Sequence, residues 1–213
     1  MLCRPGHWDL AAAADRSGLG SVAAVDTGLD IQGFRCWALG DLVDNRNRGI
    51  FAEWLVGKAL QIIGDGDVRK TWDAYDLLYG NVKIEVKASG LSQGWNVDSR
   101  SNPRFDIRPR KWTWLGSEDR WIENDPPARP ADVYVFCLHT SEEATNENVA
   151  DQNCWQFWVI STSKLDGLDS KRDQQKSVGL ATLDRLTERT PSERTRWSDI
   201  KAEVDGCIQK ATR

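Results

Sequence analysis

The segment NVKIEVKAS (residues 81 to 89) alternates strictly, so that Val82, Ile84, Val86 and Ala88 fall on one face of a strand and Lys83, Glu85, Lys87 and Ser89 on the other. An acid and an ammonium two residues apart therefore project to the same side. Just upstream, Gly80-Asn81 is a two-residue hairpin signal, which pairs Tyr79 with Val82, Leu78 with Lys83, Leu77 with Ile84 and Asp76 with Glu85. Directly opposed Cβ atoms lie about 4.5 to 5.5 Å apart, a spacing at which two carboxylates repel unless something positive stands between them. Hard oxygen donors, few in number, suit Mg²⁺, with Mn²⁺ as a second candidate, held by one or two carboxylates while keeping waters and engaging phosphate. A metal-bound water can attack a phosphodiester, and Lys87 can orient that water or donate to the phosphoryl oxygen.

Few other residues compete for this role. The only histidines, His7 and His139, are far apart in sequence, and the five cysteines, Cys3, Cys36, Cys137, Cys154 and Cys207, include no CxxC pair. Neither a zinc ribbon nor a disulfide framework is suggested, and reduced, mostly buried thiols are expected. The chain has 213 residues and a net charge of −4, so a phosphate-rich partner must be met by a local basic patch or by bound cations. No apolar run is long enough for a membrane span, and the first twenty residues lack the apolar core of a signal peptide, so a cytoplasmic protein with no membrane partner is expected.

The strand needs elements to hold it. Residues 45 to 63, NRNRGIFAEWLVGKALQII, read as one helix with Phe51, Ala52, Leu55, Val56, Ala59, Leu60, Ile62 and Ile63 in an apolar arc of roughly 180°. Glu53 lies at the margin of that arc, beside Leu60, so its carboxylate is expected to be partly desolvated. The run GDGD (64 to 67) stops the helix, and two or three strands follow up to Ser89. Residues 95 to 130, with five prolines, read as loops or short strands. ADVYVFCL (131 to 138) and CWQFWVIS (154 to 161) are apolar on both faces, as central covered strands are, and the segment between them reads as a polar loop. Two helices are expected at the end, in ATLDRLTER and WSDIKAEVDGCIQKA. The expectation is an α/β fold with a central mixed sheet flanked by helices and C-terminal helices, formed by residues 37 to 213 after a poorly ordered extension, 1 to 36.

Taken together, Glu53 on a helix, Asp76 on the first strand of a hairpin and Glu85-Val86-Lys87 on the second resemble the PD-(D/E)xK nuclease superfamily, the restriction-endonuclease-like fold. The likeness spans about 40 residues, from AEWLVGKAL through YDLLYGNVKIEVKAS, and the residue before Asp76 is Tyr75 where the pattern has Pro. The resemblance implies a single restriction-endonuclease-like domain and a Mg²⁺-dependent DNA endonuclease. Asp76 and Glu85 would be metal ligands, with Glu53 joining or tuning them, and Lys87 would assist the water. It also implies action in restriction or defence against foreign DNA, work as a homodimer, and cooperation with a methyltransferase or helicase, although no dimer signature is visible.

Around this core, Ser89 and Gln93 are candidate substrate contacts. Arg100, Arg104, Arg108, Arg110 and Lys111, against the single acid Asp106, give residues 99 to 114 a local balance of +4 that suits a nucleic-acid groove, with Trp112 and Trp114 able to stack on bases. A solvated loop anchored by its tryptophans explains that segment equally well, and a turn explains Gly90 and Gly94. The scatter of the 11 tryptophans favours core filling. Asp73 rivals Asp76, and an ExK pair on a strand can be no more than a wet face. Two other readings compete with the nuclease: a DNA-binding or structural subunit without catalysis, and a metal-dependent enzyme acting on RNA or a small phosphoester.

Overall fold

A computed structural model describes residues 28–70, 73–92, 102–116, 118–170 and 174–211. The chain divides into two units, Met1–Asp41 and Leu42–Arg213. In the first, helix α1 (Ile31–Leu39) is capped by the Asp30 carboxylate, which accepts from Gly33 N–H at 2.8 Å. It runs across position 36, where the sequence suggested an end to the poorly ordered extension; residues 1–27 of that extension lie outside the described residues.

The second unit is built on a four-stranded mixed sheet in the order β1-β2-β6-β7, with β1 Leu77–Tyr79, β2 Val82–Gly90, β6 Val133–His139 and β7 Trp155–Ser161. β1 and β2 form the expected hairpin in the expected register, Leu77 with Ile84, Leu78 with Lys83 and Tyr79 with Val82. Gly80 takes φ +59°, which a type II′ loop requires at its first position and which a residue with a Cβ resists. β2 runs parallel to β6, and β6 antiparallel to β7. All seven residues of β6 are buried, as its two-faced apolar sequence requires.

One face of the sheet packs on α2 (Asn45–Ala59) and α6 (Ile200–Ala211) through Ala52, Leu55, Val56, Val204, Ile84, Val86, Val133 and Val135. The other face, through Tyr134, Phe136, Leu138, Trp158 and Ile160, packs on Phe105 and Ile107, Leu165 of α4 (Thr162–Asp166), Val178 and Leu183 of α5 (Leu180–Thr187). Phe105 sits in β3 (Arg104–Asp106), which pairs with β8 (Ser177–Gly179). The fold is thus α/β, with the mixed sheet between two covering layers.

Several elements depart from the sequence reading. α2 ends at Ala59, short of Ile63, because Gln61 adopts φ +60° and closes the end: its N–H reaches Lys58 O, and that of Ile62 reaches Gly57 O. Ile63 then folds back over Gly57, where a Cβ would lie 2.2 Å from its Cδ1. The proline-rich segment forms a substantial hairpin, β4 (Arg110–Leu115) with β5 (Arg120–Ala128), in which a two-stranded sheet leaves edges able to accept Pro126 and Pro127. The polar loop before β7 contains a short helix, α3 (Asn146–Ala150), capped by Thr145. Trp155 and Trp158 fill the core, but Trp37, Trp54, Trp112 and Trp121 are exposed. Of the described cysteines, all free, only Cys137 is fully buried. No helix among the described residues is long and apolar enough to cross a membrane.

Candidate active site

Strand alternation turns Ile84 and Val86 to the α2 side and Glu85 and Lys87 to the other. Packing of β2 on β6 places Glu85 beside Tyr134, so the carboxylate is buried, its side chain 4% exposed. Its Oε1 accepts from Lys87 Nζ at 2.6 Å and from Arg110 Nη2 at 2.9 Å. These groups line a cleft of about 240 Å³ together with Arg108 and Tyr134. Burial, and next the charge of Glu85, push the Tyr134 hydroxyl upward in pKa, so it stays a neutral donor beside the carboxylate.

The β-ladder stops at Leu77–Ile84, one pair before the position where Asp76 was expected to face Glu85. Asp76 N–H still reaches Ile84 O at 3.0 Å, while its own Oδ2 accepts from Val86 N–H at 2.7 Å. The side chain thereby replaces the next ladder bond and is pinned against the strand that carries Glu85. Burial first, then the charges of Glu85 and Glu53, raise the Asp76 carboxyl from 3.8 to about 7, against the opposing Val86 hydrogen bond and Lys87. The repulsion anticipated from the sequence is met at Glu85 by two cations, while at Asp76 burial and the neighbouring acids favour the protonated form.

Glu53 does sit at the edge of the core, its side chain 14% exposed, but both its oxygens are taken by Arg69, Nε at 2.6 Å and Nη2 at 2.7 Å. It acts on Asp76 through charge. Asp73, the rival, spends Oδ1 on Ala74 N–H at 2.7 Å and on Gly116 N–H. Of the basic candidates, Arg108 and Arg110 line the Glu85 cleft, and Ser89 and Arg104 line a separate cavity. Lys111 pairs with Glu123 at 3.3 Å and lines neither. Gln93 and Arg100 lie outside the described residues.

Sequence reasoning missed two groups. Arg110 stood as one basic residue among five, yet it is the second cation on Glu85; no local pattern marks it. Tyr134 was assigned only to a buried strand, and the parallel β2–β6 register is what brings it alongside Glu85.

The chain matches no protein-family model, no curated protein and no solved structure. Its chemistry must therefore be argued from its own residues. Among the described residues no three His, Cys, Asp or Glu side chains converge into a metal cage. The donor set fits a hard dication held by two carboxylates and completed by water and substrate, as Mg²⁺ commonly is. The raised Asp76 pKa accords with that fit: burial first, then the charges of Glu85 and Glu53, disfavour its ionised form, which a dication would favour.

Proposed function

We propose that the protein is a divalent-metal-dependent DNA endonuclease, of the restriction-endonuclease-like kind that Asp76, Glu85 and Lys87 resemble. The observation that carries this is the grouping around β2: a buried glutamate and a lysine one pleat further on, an aspartate just before β1 that is pinned to Val86 N–H and raised to about 7, and Arg108 and Arg110 in the cleft that Glu85 and Lys87 line. Asp76 and Glu85 would hold Mg²⁺ or Mn²⁺, which supplies a water of lowered pKa and positive charge for the phosphoryl oxygens. Above about pH 7 Asp76 is ionised and able to serve as a ligand. Lys87, which donates to Glu85 Oε1 at 2.6 Å, would donate to a phosphoryl oxygen or orient the attacking water. Arg108 and Arg110 would neutralise the bound phosphate in a cleft that Asp106, Ile107, Pro109 and Tyr134 also line. Hydrolysis adds the water oxygen to phosphorus and breaks one P–O ester bond.

The test is nicking of supercoiled and linear DNA with Mg²⁺ or Mn²⁺ against chelator. Lys87→Ala is expected to abolish cleavage while the fold persists, because Arg110 still balances Glu85. Full cleavage by that variant overturns the role of Lys87, and no cleavage by the parent chain under any divalent ion overturns the reading. One observation favours a second reading, a non-catalytic DNA-binding subunit: both cations already engage Glu85 Oε1, an arrangement stable without metal. DNA binding that is indifferent to metal, with no nicking, distinguishes it.

A further inference from the structure

Beyond the Glu85 cleft, toward the C-terminal end of β2, lies a larger cavity of about 380 Å³ that the hydrolysis above leaves unused. Arg48 from α2, Arg104 from β3, and Asn45, Ser89 and Asn102 line it. Its described lining holds two positive charges and no negative one, in a chain of net charge −4. A concave, low-dielectric wall carrying one sign of charge concentrates the field and draws in the opposite ion.

The site is built rather than incidental. Arg48 is only 2% exposed, and its guanidinium donates to Ser92 O at 3.2 Å and to Asn45 Oδ1. Gly90 makes room for it, since a Cβ there would stand 2.7 Å from Nη1. Asp44, whose charge acts on Arg48, also caps α2, its Oδ1 accepting from Arg46 and Asn47 N–H. Arg104 is exposed and held in place by a neutral acceptor, Ser177 Oγ, 2.8 Å from its Nη2. One guanidinium is thus buried at the cavity wall while the other stands in solvent.

β2 itself measures the separation from the cleft. At about 3.3 Å per residue, Ser89 lies roughly 13 Å along the strand from Glu85. That is within about four nucleotides at roughly 3.4 Å of axial rise each.

We propose that this cavity seats a phosphate of the substrate strand, within about four nucleotides of the bond that is cut. The proposal rests on the nuclease reading for the second half of that statement and on the cavity alone for the first. Its ligand chemistry is a phosphate oxyanion, whether an internal phosphodiester or a terminal phosphomonoester.

The experiment measures DNA binding in chelator, where no cleavage occurs, by fluorescence anisotropy across roughly 50 to 200 mM salt, a range in which counterion release is readily resolved. Arg104→Ala is expected to weaken binding and to lower the slope of log K against log salt by about 0.9 for duplex or 0.7 for single strands, the signature of one lost phosphate contact. Arg104→Lys should keep the slope, and an unchanged urea midpoint in both variants keeps folding out of the comparison. Oligonucleotides with 5′-phosphate or 5′-hydroxyl ends, alongside closed circular DNA, separate the two sources. A phosphate-dependent gain lost in Arg104→Ala assigns a terminal group, and an equal loss on circles assigns an internal one. A wild-type slope in Arg104→Ala, or no measurable DNA binding by the parent chain, overturns the proposal. Absence of nicking with Mg²⁺ alongside a reduced slope counts against hydrolysis and leaves the phosphate seat standing.

Discussion

Replacing Asp76 by Asn isolates the electrostatic strain at the candidate centre, because asparagine keeps the shape of the neutral acid and can still accept from Val86 N–H. In the folded chain the Asp76 carboxyl titrates at about 7 against an ordinary 3.8. The folded state therefore holds a proton that the unfolded chain has already released between those two values. Stability from this group is complete below about pH 4 and falls as pH rises, by at most about 1.36 kcal/mol per unit, until it is spent above pH 7. Three units set a ceiling of about 4 kcal/mol. For a domain of this size that corresponds to roughly 8 to 16 °C in Tm. Urea unfolding in chelator at pH 5 and pH 8 measures it. The parent chain should lose stability between the two, Asp76→Asn should lose markedly less, and the variant should be the more stable protein at pH 8. Added Mg²⁺ should recover part of the deficit in the parent at pH 8, about 1.4 kcal/mol at tenfold its Kd, less at pH 6, and none in the variant. Equal pH slopes in parent and variant, or a variant less stable at pH 8, refute the argument that Asp76 sits strained beside Glu85.

Glu53→Gln removes one of the charges that raise Asp76, so the acidic limb of the stability profile should move to lower pH, by an amount read from the same urea series, whereas Arg69→Ala should move it upward. Gly57→Ala places a methyl against the end of the half-buried Ile63 side chain and should displace it, so that the gain of about 1 kcal/mol in helix propensity is at least partly offset and the urea midpoint stays within about 1 kcal/mol of the parent without change in m. Arg129, its side chain 1% exposed, donates to Asp166 and Asp169 and to the carbonyls of Ile107 and Gln175. Arg129→Ala strands those acceptors and should cost about 3 kcal/mol by the same measure.

How much of this was legible in the residues follows from the range over which each force acts. The β1–β2 register was readable because a two-residue loop and strict alternation act on immediate neighbours, and Gly80 alone among the nearby residues accepts φ +59° at no steric cost. The burial of β6 and the face assignment of Glu85 and Lys87 follow from composition and a period of two. The end of α2 was misread because a non-glycine residue, Gln61, takes the left-handed turn once Ile63 packs over Gly57.

Sequence by itself determined which side chains share the Glu85 face of β2 and that a carboxylate stands near them. Only the tertiary structure decided how their charges are settled. Arg110 reaches Glu85 across 25 residues and Arg69 reaches Glu53 across 16, pairings fixed by where loops dock on the sheet and by no local periodicity. The same docking gathers Arg48 and Arg104, from a helix and a strand far apart in the chain, around one cavity. Periodicity specifies the face a residue occupies; which opposite charge meets it depends on burial and packing summed over the whole domain.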